Sequence, residues 1–346
     1  MTRQALLGIN GLSVTFATAS GPVAVVDGVD LKVGVGEVVG LVGESGSGKS
    51  VTLRAILSLL GPAARVGGRI DWRGTDLLSL SEAELRPIRG REIAVIFQEP
   101  MAALNPVLPV GLQIEESLST HLRLDGRAAR ARAIELLGMV GIADAGRRLR
   151  SYPHEFSGGM RQRVMIAIAL AAGPKLLLAD EPTTALDVTI QDQILKLLLR
   201  LRRELDMSIV LVTHDLSVVA QSCDRVAVLY GGRIMELGPV AEVFRQPAHA
   251  YTLGLLGAIP ASHKPREPLT NIPGAPPDLL ALPDGCRFAP RCGFAEPACR
   301  TGRLDPIPVT PDHVSACLRR DVVLAQSRAA EGSQDHASPD VYKGLE

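Results

Sequence analysis

The chain has 346 residues, 46% of them hydrophobic, enough for one large domain and a smaller piece. Lysine plus arginine number 37 and aspartate plus glutamate number 37, so the net charge is zero and no global field draws nucleic acid. No stretch approaches the roughly 20 apolar residues of a spanning helix. Thr2-Arg3-Gln4 is not followed by the apolar core of a secretory signal, so the expectation is a cytosolic chain that meets a membrane only through partners.

Strands are expected over 6–16 and 23–33, on either side of a Ser20-Gly21-Pro22 turn, as an antiparallel subdomain. Val38-Val39-Gly40-Leu41-Val42 then leads into Gly43-Glu44-Ser45-Gly46-Ser47-Gly48-Lys49-Ser50, which fits the phosphate-loop pattern G-x-x-x-x-G-K-[ST]. Glycines let the backbone curl and turn its N–H groups inward. The run from Val51 to Leu57 reads as a helix whose positive N-terminal end points at the same phosphates. Lys49 is expected on the β- and γ-phosphates and Ser50 on Mg²⁺.

Gly68 to Gly74 reads as a further strand and turn, and Ser81-Glu82-Ala83-Glu84 as a capping-box helix start. Mainly helical patterns follow, including 127–140. The basic stretch Arg123 to Arg150 carries few aromatics, so it reads as a solvated helical face and not a nucleic-acid site. Ser157-Gly158-Gly159-Met160-Arg161-Gln162 opens a helix that stops at Gly173-Pro174. Bare N–H groups at such a start form a second anion site; an ordinary Gly-rich cap is the plainer alternative. Leu176-Leu177-Leu178-Ala179-Asp180-Glu181-Pro182 reads as a buried parallel strand ending in two carboxylates. Asp180 is the candidate Mg²⁺ holder and Glu181 the candidate general base. Ile190, Ile194, Leu197, Leu198, Leu201 and Leu205 repeat with the period of an amphipathic helix, and Gly231-Gly232 marks a hairpin.

Together these residues resemble an ATP-binding-cassette (ABC) ATPase. The resemblance implies an α/β P-loop core with an antiparallel β subdomain and a helical subdomain over about 99–172. It implies ATP and Mg²⁺ as ligands. Gln98 matches the glutamine loop that senses Mg²⁺ and the membrane partner, Asp187 in Ala185-Leu186-Asp187 the loop that crosses the dimer interface, His214 the switch histidine, and Phe16 the aromatic that stacks on adenine. Val51 and Gln162 fall inside the matched nucleotide motifs.

Three further segments are similar to the ATPase subunits of oligopeptide and dipeptide permeases: 98–107, Tyr152-Pro153-His154-Glu155-Phe156, and Pro247-Ala248-His249-Ala250-Tyr251-Thr252. Ala102 and Ala250 depart from the usual Thr and Pro. The match implies a subunit at the cytoplasmic face of a bacterial inner membrane. Its partners would be a second ABC ATPase, identical or paralogous, two transmembrane permeases and, indirectly, an extracytoplasmic substrate-binding protein. Each ATP would lie between the P-loop of one chain and the Ser157-Gly158-Gly159 element of the other. Alternatives are import of nickel or glutathione and, in another class, a soluble ABC ATPase of DNA repair. The 107 residues between Lys49 and Ser157 hold none of the long coiled coil that the last would need.

Fourteen of the 24 prolines fall in the last 100 residues, which excludes long helices there. The domain reading is therefore an ABC ATPase over 1–258, an accessory region over 259–320 and a disordered polar tail over 321–346. Cys286, Cys292, Cys299 and Cys317 cluster in the accessory region. A reducing compartment argues against disulfides, and a Pro-rich segment with little core suggests a metal staple. In the permease family such cysteines can carry a [4Fe–4S] cluster; Zn²⁺ and unmetallated thiols stay open. Far from the ATP motifs in sequence, the four are assigned a structural role that leaves nucleotide affinity untouched.

Overall fold

The computed structural model describes residues 4–99, 103–184, 186–258 and 271–332. Pro100, Met101 and Ala102 of the permease-like segment, Ala185, the start of the accessory region and the tail beyond Gly332 lie outside them. The first half of the chain runs β1 (Ala5–Thr18), β2 (Gly21–Gly34), β3 (Val38–Val42), α1 (Lys49–Ile56), β4 (Ala64–Trp72), β5 (Thr75–Asp76), α2 (Glu82–Leu85), β6 (Ile93–Ile96), α3 (Val110–Leu122), α4 (Gly126–Met139) and α5 (Ala145–Arg148). The second runs α6 (Gly158–Leu170), β7 (Leu176–Asp180), α7 (Val188–Glu204), β8 (Ser208–Val212), α8 (Leu216–Ser222), β9 (Arg225–Tyr230), β10 (Arg233–Pro239), α9 (Val240–Arg245), α10 (Ala250–Gly257), β11 (Ile307–Thr310), β12 (His313–Ser315) and α11 (Arg320–Gly332). Among the described residues no helix is long and apolar enough to cross a membrane. The chain folds into two compact units, each gathered from three stretches.

One unit comprises Met1–Leu7, Val33–Val38 and Asp71–Val212. Its sheet is parallel in the order β8-β7-β6, with Leu176 to Ala179 paired to Ser208 to Leu211 on one side and to Ile93 to Ile96 on the other. Leu176, Leu177, Leu178 and Ala179 are fully buried, as an apolar strand covered on both faces must be. Beside them α3, α4 and α6 pack on one another. Helix α6 has no polar stripe: Val164, Met165, Ile166, Ala167 and Leu170 are all buried. Helix α7 instead buries the single stripe Ile194, Leu195, Leu197, Leu198 and Leu201. The capping box forms at α2, where the Ser81 backbone N–H donates to Glu84 at 2.9 Å.

The other unit comprises Gly8–Lys32, Val39–Ile70 and Thr213–Glu346. It holds the β2-β1-β4 sheet and a second sheet in the order β11-β12-β10-β9-β3. There β3 pairs parallel with β9, Val39 to Val42 against Arg225 to Val228, while β9 and β10 form the hairpin expected at Gly231-Gly232. The Pro-rich accessory chain is stitched to this sheet: β12 pairs antiparallel with β10, Glu236 opposite Ser315. Arg320–Gly332, which falls almost wholly in the segment expected to be a disordered tail, is helical. Val323 is fully buried there and the Ser327 hydroxyl donates to the Arg245 carbonyl at 3.2 Å. A one-sided apolar contact holds this helix, and average polarity does not reveal it.

Candidate nucleotide site

The phosphate loop forms at the end of β3. Gly43 has φ 148°, and a Cβ there would lie 2.0 Å from the Leu229 carbonyl oxygen. Gly48 has φ 99°, and a Cβ there would lie 2.8 Å from the Val25 carbonyl oxygen. Glycine is needed at both positions for conformation and for space. The loop wraps a nearly buried ammonium: Lys49 Nζ donates to the Gly43 carbonyl at 2.8 Å, the Glu44 carbonyl at 2.9 Å and Ser47 Oγ at 3.2 Å. Ser45 and Gly46 stay exposed, and a Cβ at Gly46 would meet open space. Ser50 and Val51 follow Lys49 into the first turn of α1. A cradle closed on the protein side, open at its rim and centred on a cation suits a polyphosphate. The Thr213 N–H donates to the Leu41 carbonyl at 3.2 Å, which sets the exposed His214 beside the strand that feeds the loop. Phe16 is half-buried on β1.

The carboxylate pair forms at the end of β7. Asp180 is 2% exposed, and Glu181 takes the left-handed backbone value φ 47°. A non-glycine residue held there costs on the order of 1–3 kcal/mol, and such strain gathers at functional positions. The Glu181 N–H donates to the Val212 carbonyl at 3.0 Å. Its Oε2 accepts from Gln98 Nε2 at 3.1 Å and from Thr184 Oγ1 at 2.7 Å. Gln98 and Glu181, 83 residues apart, are thus brought together.

Ser157 caps α6, its hydroxyl accepting from the Met160 N–H at 3.4 Å, and Ser157 and Gly158 are exposed at the helix start. Gly159 is closed by α7, since a Cβ there would lie 2.7 Å from Ile190 Cγ2. Asp187 caps α7, accepting from the Ile190 N–H at 2.9 Å. Gln162 does not join the exposed element. It lies one turn into α6 at 1% exposure, with its Nε2 buried and without a hydrogen-bond partner among the described residues. The pitch of the helix turns it inward.

Cys286, Cys292, Cys299 and Cys317 line one small cavity of about 10 Å³ together with His249. Burial pushes the Cys286 and Cys317 thiols up to about 11 and pulls the His249 imidazole down to about 3. His249 Nδ1 accepts from the Tyr251 N–H at 3.0 Å, so the neutral ring carries its proton on Nε2, 3.8 Å from Cys286 Sγ. Among the described residues no three His, Cys, Asp or Glu side chains are drawn together tightly enough to hold a metal ion.

The comparisons decide the family. Residues 26–184 match the model described as ABC transporter, and residues 235–299 match the one described as Oligopeptide/dipeptide transporter, C-terminal region. The chain is 48% identical over 317 residues to the oligopeptide transport ATP-binding protein OppD of Escherichia coli, covering 91% of this chain and 94% of that one. It is 51% identical over 291 residues to the dipeptide transport ATP-binding protein DppD of Bacillus subtilis, covering 84% and 87%. A dimeric ATP-binding cassette solved in a post-hydrolysis state with ADP and phosphate superposes with a TM-score of 0.61 at 32% identity, over 68% of this chain and 98% of that one. The chain belongs to the ABC transporter ATPases.

Three residues outside the nucleotide motifs of this ABC ATPase hold the phosphate loop, Tyr251 and Arg291 directly and Arg287 through the Gly231-Gly232 hairpin. Tyr251 receives the Glu44 N–H on its hydroxyl oxygen at 2.8 Å. Arg291 Nη1 donates to Glu44 Oε2 at 2.7 Å. Burial opposes its charged form, but hydrogen bonds to Glu44 and Tyr230 outweigh that and hold Arg291 above its ordinary range. Arg287 donates to the Gly231 carbonyl and to Asp27. The cysteine segment is distant from the ATP motifs in sequence only; in space it touches the loop. A doublet such as Cys286-Arg287, with Arg291-Cys292 four residues on, carries no local signal of that contact.

Proposed function

We propose that this ABC ATPase energises peptide uptake through a pair of membrane permeases, working with a second ABC ATPase at the cytoplasmic face of a bacterial inner membrane. The observation that carries the reading is similarity over most of the chain to ATPases named for oligopeptide and dipeptide transport, including their C-terminal region. That region favours this cargo class over nickel or glutathione, and favours a transporter over a DNA-repair ATPase. In this reading the amides of Gly43 to Ser50 and Lys49 take the phosphates, Phe16 the adenine and His214 the γ-phosphate. Ser50 and Asp180, with Gln98, hold Mg²⁺, which when bound draws charge from the phosphate oxygens. Glu181, fixed by Gln98 and Thr184, takes the proton of the attacking water. Ser157, Gly158 and Gly159 serve the nucleotide of the partner ATPase. Binding closes the pair and hydrolysis reopens it, so coupling is differential affinity of ATP for the closed state. The test is reconstitution with the permeases in vesicles. ATP should drive uptake of labelled di- or oligopeptide, and uptake of nickel or glutathione alone would replace the cargo.

A second reading concerns the thiols. Four thiols gathered on one cavity, with the Nε2–H of His249 facing Cys286, are the support for a cluster-binding pocket, with [4Fe–4S] preferred over Zn²⁺; the thiols would have to draw closer than they stand to hold the group. Anaerobically purified protein should be brown, with about four iron and four sulfide per chain. Stoichiometric zinc would replace that assignment, and metal-free protein with an equally protease-resistant segment would end it.

A further inference from the structure

Between Cys286 and Cys292 the chain makes a single helical turn, Ala289–Arg291, and sends one arginine to the phosphate loop and another to the hairpin that braces it. Arg291 reaches its beginning. The side chain is 8% exposed and forms an ion pair of 2.7 Å with Glu44, the second residue of the loop. The guanidinium is fixed on every side. Nε donates to the Pro273 carbonyl at 2.7 Å, and Nη1 also donates to the Tyr230 hydroxyl at 3.2 Å. Its carbon lies 5.8 Å from the Tyr230 ring centroid and 5.9 Å from that of Phe288.

Arg287 reaches the Gly231-Gly232 hairpin that braces the loop. It is 5% exposed, and it grips the Gly231 carbonyl and the Asp27 carboxylate. The next residue, Gly232, donates its N–H to the Ser47 carbonyl at 3.0 Å, and its carbonyl accepts the Asp27 N–H at 2.9 Å. One turn of the accessory chain therefore fixes the loop at Glu44 directly and at Ser47 through Gly231-Gly232.

We propose that Arg291 and Arg287 are positioning residues of the nucleotide site, and that the Cys286–Cys292 turn is a clamp that sets ATP affinity. The proposal rests on the reading of this loop as the ATP phosphate cradle. Two physical effects follow. Arg291 neutralises a carboxylate at the lip of a site that receives a polyanion, so its loss leaves Glu44 repelling the ligand. Both arginines also restrict the loop before the ligand arrives, which lowers the ordering cost of binding. By linkage, whatever orders or loosens the cysteine turn alters nucleotide affinity by the same factor that nucleotide alters the turn.

The test uses the full chain and a double-mutant cycle read by Mg-ATP titration calorimetry. Arg291→Met should raise the ATP Kd about tenfold. Glu44→Gln in that background should recover most of the loss, because the uncompensated charge is gone; a purely structural lesion in the C-terminal segment would not be rescued in this way. Arg291→Lys, which keeps the charge and loses the fork, should fall between wild type and Arg291→Met. If Arg291→Met fails to fold, Tyr251→Phe provides the second reading: it removes the acceptor of the Glu44 N–H and should raise the Kd and speed hydrogen exchange at Glu44. Unchanged affinity in these variants, or strictly additive effects of Arg291→Met and Glu44→Gln, overturns the clamp. A wild-type chain that fails to bind ATP would overturn the nucleotide reading itself, so the two failures are distinguishable.

Discussion

Glu181→Gln separates chemistry from architecture. In the native site the hydrogen bonds from Gln98 Nε2 at 3.1 Å and Thr184 Oγ1 at 2.7 Å fall on the same oxygen, Oε2. The glutamine carbonyl can occupy that place and keep both. What changes is charge: two charge-assisted bonds become neutral ones. That costs about 2–3 kcal/mol in all, at about 1–1.5 kcal/mol for each bond from the difference between charged and neutral hydrogen bonds. In a protein of this size the melting temperature should drop by only a few degrees. The backbone at φ 47° is equally strained in both forms, so it contributes nothing to the difference. The base, by contrast, is lost. A general base contributes about 10²–10⁴ in rate, or about 2.7–5.4 kcal/mol of barrier at 1.36 kcal/mol per decade. Phosphate release by the assembled transporter at saturating ATP should therefore fall at least a hundredfold, while ATP Kd and melting temperature stay near the wild-type values. Turnover within tenfold of wild type, with intact binding, would refute the assignment of Glu181 as base.

Gly158→Asp tests completion of the site by the partner chain. A Cβ at Gly158 makes only ordinary contact, 3.6 Å from Leu186 Cδ2, and an acid at a helix start suits the helix. The variant should fold and the isolated chain should bind ATP within about twofold of wild type, while hydrolysis by the dimer collapses about a hundredfold or more through repulsion of the partner's phosphates. Loss of ATP affinity in the isolated chain would contradict the composite site. Gly43→Ala should abolish ATP binding measured by calorimetry, because its Cβ would lie 2.0 Å from the Leu229 carbonyl oxygen and neither backbone can move without opening the loop; wild-type affinity would show that the loop tolerates another shape. Asp27 is held below the usual carboxylate range: burial pushes it up, but the Arg233 hydrogen bond and the charges of Arg233, Arg287 and Arg303 prevail. A lowered folded-state pKa stabilises above the unfolded value, about 3.9, and that stability is lost as pH falls through the folded value. Asp27→Asn should therefore cost about 1–3 kcal/mol in denaturant unfolding at pH 7, with the gap to wild type closing below about pH 4; a gap independent of pH would assign the loss to packing.

The shape of the Gly43–Ser50 loop was legible in the sequence because it is largely local. Gly43 and Gly48 act through their own left-handed backbone geometry and Lys49 through atoms at most six residues away, and a linear pattern records such constraints; the Leu229 and Val25 carbonyls that close the space beside the two glycines are set by the tertiary fold. The same holds for the Ser81–Glu84 capping box, the Ser157 and Asp187 caps and the Gly231-Gly232 hairpin, each closed within a few residues. Periodicity located α7 because its apolar stripe is single. It could not orient Gln162, since the buried residues of α6, Val164 to Ala167, follow one another around the helix and mark no single face. Helix α11 escaped for the opposite reason: a few inward residues such as Val323 secure a segment whose average composition is polar. The contact of Arg291 with Glu44 spans 247 residues, and that of Arg287 with Asp27 spans 260. Neither arginine differs in sequence from any solvated one. The β12 pairing on β10 and the aromatic contacts of Phe288 with Tyr230 and Tyr251 bring the cysteine turn to the loop. Local backbone chemistry wrote the nucleotide motif into the sequence, whereas long-range packing decided which distant charges hold it in shape.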